Sequence, residues 1–595
     1  METSASEFYR SKQETFKSKL KTVSQKIRLF AWYRLAAFIL IFIPVAVWGW
    51  KGWLTVFPAM FFMGFFFFLV KKNIQLERQK KKFKALKKIT EDELLALKHQ
   101  FSHFENGKEF LNPAHFNSYD LDLFGEDSVF QFINRTSTLS GKQRLAEWLQ
   151  SPPLDKTEIE QRQEAVRELS KIPNWRLHFL ANGHLFKETP ELNEEIKRWS
   201  ETDLKLNRPA VIRVSIIVIP LLTILAAIPA FMGISNLWIV LMVFIQWAIL
   251  WFSRKRIAQY YEFFGRKSEL LGKYMQLLEF IEEREFQAPF LLDLQKKVRK
   301  PDKASHIFRQ LKKLVGQFEY RQNLVIAIVF NSLFLWDLRC VYKLWNWHRR
   351  NQKKLTVWLD VIAETDALIS LANLAYNHPE FVYPEIHDGG FTFHAKQLGH
   401  PLLPAEKRIN NDLFINGWGK VLIITGANMA GKSTFLRTVG VNLILGRTGA
   451  PVCAKKLVFS PIKVYTNMRT TDNLLKDESY FFAELKRIKT VLDRLEKGEK
   501  IFVILDEMLK GTNSVDKLNG SRQLIRKLLE LKAVALIATH DLKISEMEKE
   551  YPQMVFNKCF EIELENDEMI FDYLLTDGVT KTMNATFLMK KMGII

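Results

Sequence analysis

The chain has 595 residues, enough for about three or four domains. Its net charge of +21 and pI near 9.5 favour nucleic acid or an anionic membrane surface as partners. Three cysteines without metal-like or disulfide-framework spacing exclude cysteine-rich metal modules and disulfide-stapled secreted domains, and indicate a reducing compartment.

Four long apolar runs without charged residues occur in two pairs. The runs are 35–50, 53–70, 214–232 and 237–252. Each is close to the ~20 residues that a membrane-spanning helix needs, and tryptophans lie near several run ends. A buried helix of a soluble protein usually keeps a polar stripe, which these runs lack. We therefore interpret them as two transmembrane hairpins, 35–70 and 210–252, in preference to core helices.

The charges that flank the hairpins predict their orientation. Lysines and arginines cluster outside both hairpins, whereas the two turns contain a single positive residue, Lys51. The positive-inside rule then predicts a multi-pass protein of the cytoplasmic (inner) membrane whose soluble domains all lie in the cytoplasm. The first run begins too late for a removable signal peptide and lacks a cleavage site.

The remaining N-terminal segments are basic. Residues 1–34 are expected to form a basic cytoplasmic tail, and residues 71–118 a charged helical linker. The linker contains a Lys/Arg cluster at 78–84 that could contact either lipid headgroups or DNA phosphates. Its position beside a predicted span favours the lipid interpretation.

Helical patterning with polar surfaces covers residues 119–209 and resumes over 253–384. Within the second part, the segment 323–336 is apolar but short for a full span. We expect it to be a buried core helix, with a fifth span as the alternative. Residues 385–595 contain the motifs of a nucleotide-binding domain.

The stretch 421–436, VLIITGANMAGKSTFL, contains a complete G-x-x-x-x-G-K-[ST] pattern between an apolar strand and a helical segment. This context predicts a Walker A loop, in which glycines let several backbone N–H groups face one phosphate chain. Lys432 is expected to contact the β- and γ-phosphates, and Ser433 to bind Mg²⁺. The predicted nucleotide-binding residues are Gly426, Ala427, Asn428, Met429, Ala430, Gly431, Lys432, Ser433 and Thr434.

Two further motifs follow predicted strands. The apolar run 501–505 ends in Asp506 and Glu507, the Walker B form, where Asp506 would hold Mg²⁺ and Glu507 would polarise the attacking water. The next strand ends before His540, which would sense the γ-phosphate. Ordinary surface acids and a structural histidine are the alternatives, and the order of the motifs favours catalysis.

The segment 479–485, SYFFAEL, lies between the Walker A loop and the Walker B strand. It has no Leu-Ser-Gly-Gly-Gln signature of the kind that transporter-type ABC ATPases carry. By itself, Ser479 could equally cap a helix or act in a site.

These phrases resemble the MutS family. The Asn428-Met429 pair in the loop and the Ser-x-Phe-x-x-Glu motif from Ser479 to Glu484 are both similar to sequence motifs of that family. After Asp506-Glu507, Leu509-Lys510 replaces the Gly-Arg of the family's loop. The core-domain wording is also similar, at Leu123-Phe124, Asn134-Arg135-Thr136, Gly141-Lys142, Trp148-Leu149, Pro153-Leu154, Arg162-Gln163 and Val166. We expect these core residues to serve packing and capping, not chemistry.

The resemblance covers about 119–209 and 253–595, and it implies a multidomain fold. An α/β P-loop (ABC-class) ATPase domain would follow an all-α MutS-like core and lever domain, with the two transmembrane hairpins added. It also implies that Ser479 reaches the γ-phosphate of the other subunit. A homodimer would then hydrolyse ATP with Mg²⁺ at composite sites, with catalytic residues Glu507, His540, Lys432 and Ser479.

The family further implies DNA binding and mismatch repair, although the N-terminal domain with a Phe-x-Glu mismatch reader is not visible. We therefore expect a membrane-anchored MutS-like ATPase that lacks the mismatch-recognition domain. The alternative is a membrane-associated ATPase that drives remodelling or transport without recognising mismatches. A scaffold with a degenerate site is disfavoured because all the motif residues are present.

Overall fold

The computed structural model describes residues 4–49, 52–265, 267–469, 480–510, 512–565 and 568–581. Its N-terminal part is a long helical hairpin, followed by a helical core that a second hairpin interrupts. The C-terminal part combines strands and helices. A multidomain chain with a helical core and an α/β region is therefore confirmed.

Two antiparallel helices, α1 (Ser4–Trp48) and α2 (Trp53–Ala96), form hairpin 1. Each helix joins a charged half to an apolar half without a break, so the basic segment 4–34 is the helical beginning of the hairpin. The apolar halves expose large side chains; Phe57, for example, is 77% exposed. The charged halves instead pack on the core, where Tyr9 and Leu86 are buried.

A buried polar network attaches hairpin 1 to the core. The Glu93 carboxylate accepts hydrogen bonds from Arg135 Nε at 2.7 Å and from Asn377 Nδ2 at 2.7 Å. The hydroxyl of Tyr9 donates to Asn377 Oδ1 at 3.1 Å. Both hairpin helices are thereby bonded to the same core asparagine.

The helical core surrounds one long helix, α14 (Trp336–Asn377). The shorter helices before the second hairpin are α3 (Val129–Ile133), α4 (Leu139–Gln150), α5 (Lys156–Ser170), α6 (Pro173–Gly183) and α7 (Pro190–Glu201). The helices after it are α10 (Ser268–Glu283), α11 (Pro289–Arg299) and α12 (Ala304–Glu319), with 3₁₀ turns at Lys108–Phe110 and Tyr320–Gln322.

A buried carboxylate joins α14 to the start of α4. Asp366 accepts hydrogen bonds from the backbone N–H groups of Ser137 and Thr138 and from both hydroxyls. Burial raises the pKa of Asp366 to about 6, although these donors oppose the shift. Gly141 permits the close approach, since a Cβ there would lie 2.4 Å from Asp366 Oδ2.

The motif residues of the core serve packing, as predicted. Leu123, Leu149 and Val166 are fully buried. The guanidinium of Arg162 lies 4.1 Å from the ring centroid of Trp148. Gln163 donates to the carbonyl of Pro384, just before the α/β region begins.

Hairpin 2 consists of α8 (Pro209–Phe231) and α9 (Leu237–Phe264). Phe231 is 92% exposed, like other large apolar side chains along both helices. Among the described residues, four helices (α1, α2, α8 and α9) are long and apolar enough to cross a membrane.

Helix α13 (Leu324–Phe334) contradicts the prediction of a buried core helix at 323–336. Leu324 is 73% exposed and Val325 is 70% exposed. The helix is short because the backbone turns left-handed at Leu335, and it packs against hairpin 2 instead of entering the core. Helices α13 and α14 meet there at a bend of 81°.

The α/β region contains two larger sheets. The first has the strand order β1 (Glu385–Ile386), β5 (Lys456–Phe459), β2 (Thr392–Leu398) and β3 (Asn411–Asn416), and it is antiparallel except for the pair of β1 and β5. The second has the strand order β12 (Leu575–Asp577), β9 (Val555–Phe560), β4 (Val421–Gly426), β8 (Val534–Thr539), β7 (Ile501–Asp506) and β6 (Lys463–Asn467), and every neighbouring pair is parallel except β12 and β9. Strands β4 (Val421–Gly426) and β8 (Val534–Thr539) are buried along their whole length, as parallel strands covered on both faces are.

Strands β10 (Glu563–Glu565) and β11 (Glu568–Ile570) form a separate two-stranded antiparallel sheet in this region. The helices are α15 (Lys432–Thr448), α16 (Tyr480–Glu496), α17 (Ser514–Glu530), α18 (Leu542–Ser545) and α19 (Met547–Glu550). Alternate residues of β4 face opposite sides: Leu422 and Ile424 join the helical core, whereas Val421 and Ile423 pack with α17.

Replacing Glu93 with alanine tests the attachment of hairpin 1. The change leaves the buried Arg135 guanidinium without its carboxylate, and removing one partner of a buried pair costs about 3–5 kcal/mol. Chemical unfolding in detergent should show that loss. Glu91→Ala is the matched control, since Glu91 pairs with Lys87 at the surface. Equal effects of the two changes would contradict the role of the network.

Candidate active site

The predicted phosphate loop connects β4 to α15. Gly431 has φ +102° at the start of α15, a conformation that favours glycine. A Cβ at Gly431 would lie 2.9 Å from the ring of Tyr573, so a side chain there would fill the space beside the loop. The loop therefore has the backbone shape that its sequence predicts.

Lys432 is buried beneath this loop. Its Nζ donates to the carbonyl oxygens of Gly426 and Ala427, each at 2.7 Å. Burial lowers the pKa of Lys432 to about 8, and the charges of Asp506 and Glu507 oppose that shift. A buried ammonium bordered by carbonyl groups suits an anion that displaces those contacts.

The two Walker B carboxylates follow β7. Asp506 is paired with Ala538 in the sheet, and the N–H of Glu507 donates to the Ala538 carbonyl at 3.0 Å. Glu507 has φ +57°, a left-handed conformation that costs a non-glycine residue on the order of 1–3 kcal/mol. The sharp turn directs the Glu507 side chain to His540, and their carboxylate and Nε2 atoms are in contact.

His540 connects the two predicted motifs. Its Nε2 contacts Glu507, and its Nδ1 lies 3.1 Å from the carbonyl oxygen of Gly426. The Lys432 Nζ also lies 3.3 Å from Nδ1, so His540 contacts residues of both motifs. The hydrogen bond from His540 is the largest cause that lowers the pKa of Glu507 to about 2. Glu507 is thus held as a carboxylate.

These side chains share one cavity of about 550 Å³ at the carboxyl edge of the parallel sheet. The edge is where ligands bind in open α/β sheets. Of the predicted nucleotide and metal residues, those that line the cavity are Asn428, Met429, Ala430, Gly431, Lys432, Ser433, Thr434, Asp506, Glu507 and His540. Gly426 and Ala427 contact the Lys432 ammonium through their carbonyl oxygens. Ser479 lies outside the described residues.

Ser433 and Asp506 fit a hydrated Mg²⁺ ion in donor chemistry. A hydroxyl and a carboxylate are hard oxygen ligands of the kind Mg²⁺ prefers, and both line the same cavity. Glu507 adds negative charge beside them. The donor set is incomplete without water or phosphate oxygens, which is usual for Mg²⁺ at phosphate-binding sites.

Glu484 holds the loop that follows Glu507, a role not predicted from the sequence. Its buried carboxylate accepts from the N–H groups of Leu509 at 2.7 Å and Lys510 at 2.9 Å. Leu509 has φ +56° and stands where the MutS motif has glycine. Glu484 thereby stabilises a strained turn next to Glu507. The sequence feature that could have indicated this role is the position of Glu484 as the last residue of the Ser-x-Phe-x-x-Glu motif.

Asp120 connects the helical core to the same region. Its buried carboxylate accepts from Thr466 Oγ1 at 2.8 Å, Arg469 N at 3.0 Å and Arg487 Nη2 at 3.1 Å. Arg487 lies on α16, the helix that also carries Glu484. The contact spans more than 300 residues of sequence, so no local pattern could predict it.

The pH dependence of stability tests the pair of Glu507 and His540. Because the folded pKa of Glu507 lies below its ordinary value of 4.5, the pair contributes stability above that value and loses it as the pH falls towards 2. The difference in melting temperature between the wild type and His540→Ala should therefore shrink as the pH falls from ~5 to ~3. His387→Ala, at an exposed histidine, is the control. A difference that does not change over this range would contradict the pairing.

Replacing Glu484 with alanine tests the loop support. Two buried N–H groups lose their acceptor, at a cost of about 1–3 kcal/mol each. We expect faster hydrogen exchange at Leu509 and Lys510 and a larger fall in kcat than rise in KM for ATP. Glu496→Ala on the same helix is the control because its ion pair with Lys527 is exposed. Unchanged exchange at both amides would contradict the assignment.

Comparison with known families agrees with this geometry. Residues 422–590 match the family model described as MutS domain V, and residues 76–226 match MutS domain III. The first match contains β4, the phosphate loop, Asp506, Glu507 and His540. The second begins in α2, so it includes most of the charged half of that helix, and it ends within α8.

Individual relatives are similar over shorter stretches. MutS protein homolog 4 of Homo sapiens is 30% identical over 275 residues, which cover 44% of this chain and 27% of the relative. The DNA mismatch repair protein MutS of Thermotoga maritima is 30% identical over 238 residues, covering 39% and 29%. That of Finegoldia magna is 32% identical over 237 residues, covering 39% and 27%.

The aligned part is thus less than a third of the length of each of these relatives. The two family models together match more than half of this chain, and they fall on its helical core and on its α/β region. The chain belongs to the MutS family.

Proposed function

We propose that this chain is a membrane-anchored ATPase of the MutS family, which binds and hydrolyses ATP with Mg²⁺ as a dimer. The observation that carries the proposal is the convergence of Lys432, Ser433, Asp506, Glu507 and His540 on one cavity. The first turn of α15 supplies Lys432 and Ser433, the end of β7 and the turn after it supply Asp506 and Glu507, and the segment after β8 supplies His540. Each has the chemistry that phosphoryl transfer requires.

The contacts of each residue suggest its role in ATP hydrolysis. Lys432 would exchange its two loop carbonyls for phosphate oxygens, which keeps its buried charge compensated. Ser433 and Asp506 would hold Mg²⁺, which neutralises charge on the phosphates. Glu507 is held ionised by His540 and so accepts a hydrogen bond from the attacking water. With a pKa near 2 it orients water better than it removes a proton.

The proposed dimer rests on the family resemblance of Ser479-Tyr480-Phe481-Phe482-Ala483-Glu484. Ser479 would complete the site of the second subunit across the dimer. Glu484 supports this arrangement, since it connects the helix that follows Ser479 to the loop after Glu507 within one subunit. A movement of this helix on dimer closure would then affect the partner's site through Ser479 and the site of its own subunit through the loop after Glu507.

Membrane anchoring is supported by four long helices with exposed apolar surfaces. Monomeric soluble proteins rarely expose apolar patches of this extent. Within hairpin 2, the polar side chains of Thr223 and Gln246 are buried and bonded to each other at 2.7 Å, so neither faces outward. We place the protein in the cytoplasmic membrane, with the core and the ATP site in the cytoplasm.

DNA is the partner that the printed names of the relatives suggest, and the chain's charge of +21 is compatible with it. We propose a role in DNA repair or in handling structured DNA. The competing function is a lipid-dependent ATPase that remodels or transports, for which the exposed apolar helices would supply the contact.

The Glu507→Gln variant tests the ATPase. It keeps the side-chain shape but weakens the orientation of water, so ATP turnover should fall by about 10²-fold or more while ATP binding persists. Scintillation counting and size-exclusion chromatography in detergent should show ATP retained in a dimer. Glu530→Gln, at an exposed residue of α17, should turn over normally.

Undiminished turnover in Glu507→Gln would contradict the assigned role. The DNA role is tested separately by adding homoduplex, heteroduplex and branched DNA at low salt. Stimulation that falls with salt supports the repair function. Turnover that requires lipid and ignores every DNA supports the competing function.

A further inference from the structure

We propose that α13 and the beginning of α14 form a re-entrant loop that enters the cytoplasmic leaflet of the bilayer beside hairpin 2. The proposal rests on the membrane anchoring proposed above and adds a third membrane element to it. The lipid leaflet is the partner that covers the exposed face of α13.

The first observation is the surface of α13. Its eleven residues contain no charge. The exposed side chains form a stripe on one side of the helix, comprising Leu324, Val325, Ile328, Val329 and Leu333. At 1.5 Å per residue the helix is about 16 Å long, half the ~30 Å of a hydrocarbon core. It can therefore enter one leaflet but cannot cross both.

The second observation is that side chains form hydrogen bonds with the backbone groups at the bend. Gln246 of hairpin 2 accepts from the N–H of Leu335 at 3.1 Å and donates to the carbonyl of Ser332 at 2.8 Å. Asn331 accepts from the N–H of Asp337 at 2.9 Å. Water could satisfy these groups at an aqueous surface, whereas a helix break in lipid must have them bonded within the protein.

The third observation concerns depth. Gln246 precedes Arg254 by eight residues on α9, or about 12 Å along the helix axis. The bend that Gln246 contacts is therefore within one leaflet of the charged end of hairpin 2. The other end of α13 is near the cytoplasmic side, because Gln322 donates to the hydroxyl of Tyr261, seven residues beyond Arg254.

The fourth observation is charge complementarity. After the bend, α14 carries exposed cations at Lys343, Arg349, Arg350 and Lys353. The Arg349 guanidinium lies 5.0 Å from the ring centroid of Trp345, a combination typical of the membrane interface. These cations suit anionic headgroups, and they lie where α14 would leave the leaflet towards the core.

Spin labels on the full chain test the proposal in vesicles of phosphatidylcholine and phosphatidylglycerol. The three native cysteines are buried and are replaced by alanine. Single spin labels are then attached to cysteines introduced by Val329→Cys on α13, Leu221→Cys on α8 or Val515→Cys on α17. All three positions have exposed side chains. ATP turnover of each labelled protein checks that it is folded.

Accessibility to oxygen relative to a polar nickel chelate should be about tenfold higher at Val329 than at Val515, because hydrocarbon excludes polar solutes. Leu221 reports on hairpin 2 alone. Lipid exposure at Leu221 with water exposure at Val329 would overturn the re-entrant loop but leave the anchoring intact. Water exposure at both would overturn both proposals. Spin–spin broadening at Val329 would mean that a second copy covers α13, and would also overturn the loop.

Sidedness separates a re-entrant loop from a full span. A label after Arg350→Cys should be reduced by external ascorbate to the same extent as a label after Lys313→Cys at an exposed position of α12, since these positions flank α13 and both lie on one side of the bilayer. Different extents would mean that the chain crosses the membrane between them, which would contradict the proposal.

Discussion

Helix α14 is the element on which the other parts of the molecule depend. It has 42 residues, about 63 Å of continuous backbone hydrogen bonding, so a displacement at one end is transmitted to the other. Its first turn is bonded to α13 through Asn331, and its Asp366 holds the start of α4. Its last residue, Asn377, binds both helices of hairpin 1 through Tyr9 and Glu93. Hairpin 1 is thus bonded to this rigid helix directly, and hairpin 2 packs against it together with α13.

The proposed ATP site is connected to this framework by buried charges. Asp120 bonds Arg487 on α16, and Glu484 on the same helix holds the loop beside Glu507. Buried carboxylates of this kind are costly unless every acceptor is used, and these two accept several donors each. A shift of α16 on dimer closure would therefore act on the catalytic loop and on the helical core together. In our proposal this is how the ATP cycle would reach the membrane helices.

Much of the site was predictable because its chemistry is local in sequence. The phosphate loop, Asp506, Glu507 and His540 each follow a recognisable strand, and parallel strands bring their carboxyl ends to one edge. Glu484 and Asp120 were not assigned roles because their partners are distant in sequence. The interpretation of 323–336 was wrong because length and hydropathy do not distinguish a helix in the core from one that leans on hairpin 2. The decisive contact there, with Gln246, is 89 residues from Leu335.

We propose that one chain carries both a working MutS-type ATP site and a membrane anchor. Flotation of the full chain with lipid vesicles after alkaline carbonate extraction, followed by an ATPase assay of the floated fraction, tests this combination most directly. We expect the wild type to float with its ATP turnover, and Lys432→Ala to float equally well with turnover lost. Protein that carbonate releases into the aqueous fraction, or turnover that persists in Lys432→Ala, would contradict it.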